Sequence, residues 1–131
     1  MSFGETTTEA IEYAARQVVD ASFKLHTTLG PGLLESVYEA CLEHELRKRG
    51  LVVRRQVTVP IVYDEVKLEE GFRIDLLVNE CVLVELKAVE RLIPLFEAQV
   101  LTYLKLTGLR LGILINFNST LIKDGIKRIV L

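Results

Sequence analysis

Positive charge is in short supply in this chain, and so are cysteine and long apolar runs. Lys and Arg number 16 against 18 Asp and Glu, a net charge of −2. That balance argues against a protein that coats nucleic acid by charge alone, while leaving room for a local basic patch. The two cysteines, Cys41 and Cys81, stand at no metal-binding or redox spacing. They read as small core residues in a reducing, cytoplasmic setting. No apolar run is long enough to span a bilayer, so no membrane is expected. The opening "MSFGETTTEA" lacks the charged segment and apolar core of a signal peptide. No repeat, linker or disordered composition breaks the chain. What is present is 131 residues, 50% of them hydrophobic. That suits one compact domain over residues 1–131 with a substantial core.

Periodicity orders the elements. Thr6 and Glu9 read as a capping box. Ile11, Ala15, Val18, Ser22, Leu25 and Leu29 then recur at helical spacing. Gly30-Pro31 stops this helix. A second helix is expected over about Leu33 to Arg49, closed by Gly50, with Arg47, Lys48 and Arg49 matching the dipole of its last turn. Val57, Val59, Ile61 and Tyr63 alternate as a strand, and Pro60 hints at a sheet edge. "FRIDLLV" and "CVLVELKA" form two more strands around a turn at Asn79-Glu80. A third helix covers about Pro94 to Thr107, and "RLGILIN" is a further strand. Asp124-Gly125 reads as a turn and "IKRIVL" as a last strand or tail. The order α, α, β, β, β, α, β predicts a mixed sheet with helices on its faces.

Three charges sit among the apolar strand residues. Glu85 and Lys87 are two apart and share one face of their strand. Asp75 lies on the preceding strand. A two-residue turn at Asn79-Glu80 would set Asp75 and Glu85 on opposite faces. One extra residue or a bulge in the hairpin would set them opposite one another on one face. Buried charges are costly unless paired or metal-bound. The residues therefore allow two readings. One is a structural ion pair of Lys87 with Asp75 or Glu85. The other is a carboxylate pair whose repulsion a hard divalent cation relieves. Gln99 and Tyr103 are four apart on one face of the third helix, as are Glu35 and Glu39 on the second. A lone His26 on the first helix's apolar stripe reads as a satisfied core residue.

In order, Asp75, "ELK" at Glu85 to Lys87, and Gln99 with Tyr103 resemble the PD-(D/E)XK nuclease superfamily, with Ile74 where the superfamily's name has Pro. The Gln-x-x-x-Tyr element resembles its exonuclease-like branch, associated with recombination helicases. "GLLESVYE" at Gly32 to Glu39 is similar to the signature of the small prokaryotic GxxExxY family. That resemblance extends through "HTTLGPG", "GFRIDLLV", "VELKAV", "EAQVLTYLKLTG" and "LGILINFN".

The resemblance implies an α/β fold with a restriction-endonuclease-like αβββαβ core and an extra N-terminal helix. It implies a metal-dependent nuclease acting on nucleic acid, DNA before RNA. Asp75 and Glu85 would hold Mg²⁺, with Mn²⁺ able to substitute, together with the backbone carbonyl of Leu86. Glu35 would reach the metal through water or help complete its shell. Lys87 would orient or activate the attacking water and stabilise the transition state. Gln99 and Tyr103 would position the metal site or the scissile phosphate. A catalytically idle nuclease-fold protein that binds nucleic acid or a partner protein is the alternative. Arg54, Arg55, Arg73, Lys105 and Arg110 could supply phosphate contacts or equally be solvated surface. A homodimer would enlarge this small footprint.

Overall fold

The structure is a computed structural model that describes residues 6–131. The first five residues of the N-terminal stretch read above lie outside the described residues. The element order is α1 (Thr8–Leu29), α2 (Glu35–Lys48), β1 (Val53–Tyr63), β2 (Val66–Val78), β3 (Val82–Lys87), α3 (Pro94–Thr107), β4 (Leu111–Asn116), a 3₁₀ turn (Ile122–Gly125) and β5 (Ile126–Val130). The strands form one sheet in the order β1-β2-β3-β4-β5. Among the described residues only β3 and β4 run parallel; the other neighbours are antiparallel. This mixed sheet and its three helices agree with the restriction-endonuclease-like expectation.

The core is split by the sheet. On one face α1 and α2 bury Ala14, Val18, Leu25, Leu42 and Leu46 against Val78, Val84, Leu86 and Ile113. On the other, α3 buries Val100 and Leu104 against Ile74, Leu77, Leu83 and Leu114. β4 is buried along its whole length and β3 at all but Lys87. This explains their nearly unbroken apolar runs, because a central parallel pair is covered on both faces. Each fully buried Leu, Ile or Val contributes about 1.5–3 kcal/mol. That surplus lets the sheet hold ionisable groups at one end. α3 lies close to β4 because Gly112 leaves room: a Cβ there would stand 2.5 Å from Val100 Cγ1.

Local departures from the sequence expectations have simple causes. Helix α1 is capped by Thr7, whose Oγ1 accepts from the Ala10 amide at 3.1 Å, so Thr6 and Glu9 do not form the expected box. Asp124 and Gly125 belong to the 3₁₀ turn rather than to a simple reverse turn. Pro60 does mark an edge, since β1 is the first strand of the sheet. Its strand begins at Val53, before the alternation visible in the sequence. His26 is satisfied, its Nε2 bonding the Ser119 carbonyl at 2.8 Å. Cys41 and Cys81 are free thiols, and Cys81 is buried. No helix among the described residues is long and apolar enough to cross a membrane.

Candidate active site

The β2–β3 hairpin decides whether the carboxylates meet. Asn79 and Glu80 have φ of 51° and 56°, and the Cys81 amide donates to the Val78 carbonyl at 3.0 Å. This is the left-handed pair of a tight hairpin turn. The ladder, however, pairs Val78 with Val82 and leaves Cys81 as one extra residue. Continued past its last pair, Leu76 with Val84, that register sets Asp75 opposite Glu85.

Beyond that last pair, the side chains take over from the ladder. The Leu86 amide donates to Asp75 Oδ2 at 2.9 Å, and the Asp75 amide reaches Glu85 Oε1 at 3.4 Å. β3 alternates regularly: Val82, Val84 and Leu86 face α1 and α2, whereas Leu83 faces α3. Glu85 and Lys87 therefore belong to the α3 face.

Strands β1 and β2 do not alternate regularly. Val53 lies under α1 and α2, but Val57 and Val59 lie under α3. On β2, Leu76 and Val78 face α1 and α2, but Ile74 faces α3. Both slips occur at one level, where Gln56 stands opposite Asp75 between the pairs Arg55–Leu76 and Val57–Ile74. Gln56 has φ 53°. For a residue other than glycine that costs about 1–3 kcal/mol. It turns the Gln56 amide toward α2, where Nε2 donates to Glu39 Oε1 at 2.6 Å and to Asp75 Oδ1 at 3.3 Å. Glu39 is buried and also accepts from Arg55 Nε at 2.7 Å.

Lys87 forms no ion pair with Asp75 or Glu85. The structural ion pair allowed by the sequence is therefore absent. Lys87 Nζ instead lies 3.4 Å from Gln99 Oε1 and 4.6 Å from the centre of the Phe96 ring. Gln99 Nε2 donates to the Tyr103 hydroxyl at 3.0 Å, and Tyr103 stacks on Phe72 with ring centres 4.1 Å apart. One face of α3 thus supports the lysine.

Glu35 opens α2 behind a loop held by Tyr38. The Tyr38 hydroxyl donates to the Gly30 carbonyl at 2.6 Å and accepts from the Leu33 amide at 3.1 Å. Its ring stacks on Phe117 at 4.7 Å. Gly32 takes φ 98° in that loop, a region in which a side chain would be strained. The glycine and tyrosine of "GLLESVYE" thus shape the turn that delivers Glu35 to the rim.

The charges oppose one another. Burial and the charge on Asp75 push the Glu85 carboxyl up to about 8. Asp75 is raised by burial and by Glu39, against the opposing bond from the Leu86 amide. Glu35 is exposed as a residue, yet its carboxyl is raised by partial burial and then by Asp75. The Tyr103 hydroxyl is raised by burial and then by Glu85. Asp75, Glu85, Lys87, Gln99 and Tyr103 thus converge, with Glu35 at the edge.

Two facing carboxylates biased toward protonation suit a hard divalent cation, which keeps several waters and needs only one or two protein carboxylates. Among the described residues no group of three or more His, Cys, Asp or Glu gathers as a metal cluster.

Sequence reasoning missed Gln56 and passed over Glu39. The available signal was "RRQ" at Arg54 to Gln56, a polar run that interrupts the alternation between Val53 and Val57. Several of the basic residues have carboxylate partners. Arg54 and Arg55 are tied to Glu80 and to Glu39 and Glu43, and Arg47, Lys48 and Arg49 are also in ion pairs. Lys105 and Arg110 stand by the Val82 end of the sheet, away from Lys87, because α3 leads from Phe96 to Thr107 and β4 starts beside Val82. Arg73 lies two residues before Asp75 on β2 and is exposed. Arg91 lies in the connection between Lys87 and α3.

No curated protein and no solved structure matches the chain. The sequence profile of the PD-(D/E)XK nuclease superfamily matches residues 12–129, which include every element of the site. The chain belongs to the PD-(D/E)XK nuclease superfamily.

Proposed function

We propose that this protein, as a member of the GxxExxY group, hydrolyses phosphodiester bonds in nucleic acid, with DNA as its first substrate. The observation that carries this is the facing Asp75–Glu85 pair, raised in pKa and without an ion-pair partner. A structural role would call for a paired lysine; a site awaiting a cation would not. Asp75 and Glu85, with the Leu86 carbonyl, would hold Mg²⁺, for which Mn²⁺ would substitute. When bound, the metal would polarise the phosphodiester and lower the pKa of the attacking water. Lys87, steadied by Gln99 and Phe96, orients that water and offsets negative charge as the bond breaks. Tyr103 holds Gln99 in place, and Glu35 acts from the rim through water. The setting is cytoplasmic.

The test is a cleavage assay on labelled single- and double-stranded DNA and RNA with Mg²⁺, Mn²⁺ or chelator, comparing wild type with Asp75→Asn. Metal-dependent cleavage lost in the variant is expected. Metal-independent cleavage that survives in the variant would contradict the proposal, and binding without cleavage would favour the idle, binding-only alternative.

The scarcity of free cations near the site predicts shallow salt dependence. With Lys87, Arg73 and Arg91 as contacts, log K should fall against log salt with a slope of only about −2 to −3. Fluorescence anisotropy in chelator over a salt series measures it. A much steeper slope would mean that Lys105 and Arg110, or a second copy in a homodimer, also grip the strand.

A further inference from the structure

Among the described residues, five that are not glycine have positive φ. Asp64, Glu65, Asn79 and Glu80 lie in the two hairpin turns, and Gln56 alone lies within a strand. We infer that Gln56 is a positioning residue that orients the Asp75 carboxylate, and that its backbone conformation serves this end. This inference rests on the proposed role of Asp75 as a metal ligand.

Consecutive side chains in an extended strand point to opposite faces. Arg55 and Gln56 are consecutive, yet both reach Glu39. The left-handed φ is what brings the second of them to that side. Glu39 also fixes which end of the Gln56 amide faces the site. A carboxylate that accepts from Arg55 can only accept, so Gln56 must offer it the NH₂ group. The other hydrogen of that NH₂ is left for Asp75 Oδ1 at 3.3 Å. The Leu86 amide takes Oδ2 at 2.9 Å.

Each oxygen of Asp75 thus has one donor and keeps lone-pair capacity for a cation. Rotation of the carboxylate is restrained before any metal arrives. A neutral donor suits this place. An Arg or Lys there would neutralise Asp75 and compete with the cation, whereas an amide orients it and leaves its charge available.

The experiment measures Mn²⁺ binding by calorimetry and melting in chelator for wild type, Gln56→Gly, Gln56→Asn and Asp75→Asn. Glycine and asparagine both tolerate left-handed φ. Neither can span Glu39 and Asp75 as glutamine does, and asparagine controls for the added flexibility of glycine. Both Gln56 variants should melt no lower than wild type in chelator. Both should bind Mn²⁺ about tenfold or more weakly, as expected when a group supporting a metal ligand is lost.

Mn²⁺ affinity within about twofold of wild type, against the tenfold expected of a support residue, would overturn the inference. So would a large fall in melting temperature for both variants, because the amide would then hold the fold and not the ligand. In either case the proposed function stands if Asp75→Asn abolishes Mn²⁺ binding. A wild type that binds no Mn²⁺ would end both.

Discussion

A Lys87→Ala variant is expected to cleave nucleic acid about 10²–10³-fold more slowly than wild type, the usual cost of removing one preorganised group that stabilises transition-state charge. Its stability should barely change. Lys87 shares no ion pair with Asp75 or Glu85, so its loss breaks no close contact to a carboxylate and removes only the longer-range attraction of its charge for both. It gives up a long contact to Gln99 and its place over the Phe96 ring. A cation above an aromatic ring contributes only about 0.5–1 kcal/mol at an exposed site. Breaking a buried ion pair would instead cost about 3–5 kcal/mol. The two outcomes separate cleanly when single-turnover rates at saturating metal are measured beside melting curves. A slow, well-folded variant fits a lysine acting on the substrate. An active variant would remove Lys87 from the chemistry, and a fast-unfolding one would make it a structural residue.

The metal-free protein should lose stability as pH rises, and Glu85→Gln should remove much of that loss. The Glu85 carboxyl has an ordinary value of 4.5 and is pushed up to about 8 in the folded protein by burial and by Asp75. Between those values the folded chain holds a proton that the unfolded chain has released. Stability therefore falls with rising pH in this window. The contribution is fully present below 4.5 and lost as pH passes through about 8. Its size is on the order of a few kcal/mol, from about 1.4 kcal/mol per pKa unit.

Gln at position 85 stays neutral and can still accept from the Asp75 amide. Urea unfolding in chelator from pH 5 to pH 9 should show the variant close to wild type at the acid end and more stable at the alkaline end. Added Mn²⁺ should restore wild type at alkaline pH, because binding needs the deprotonated carboxylates and stabilises only the folded state. Parallel pH profiles for the two proteins in chelator would mean that Glu85 is ionised in the fold without cost.

Features that depend on chain geometry over a few residues were determined by the sequence alone. Pro94 and Gly108 bound α3 because one suits the first helical turn and the other takes the left-handed cap. Glu85 and Lys87 share a face because a strand repeats every two residues, and Gln99 and Tyr103 meet because a helix brings i and i+4 together. The order of elements and the superfamily's pattern of charged residues follow from the same local spacings.

Tertiary structure decided which of those groups meet across the fold. The extra residue at Cys81 arises because Val78 pairs with Val82 while Asn79 is clipped to Val52 by main-chain and side-chain bonds of 2.8 Å. The polar run at Arg54 to Gln56 was visible, but its slip between faces depends on Glu39, which α2 brings in from elsewhere in the chain. Lys87 turns to Gln99 and Phe96 because Gly112 lets α3 lie close against β4. Arg54 and Arg55 read as free cations until their carboxylate partners are in place. Periodicity is local and can be read from the chain. Register and hydrogen-bond partners are settled only when distant segments compete for the same donors and the same buried space.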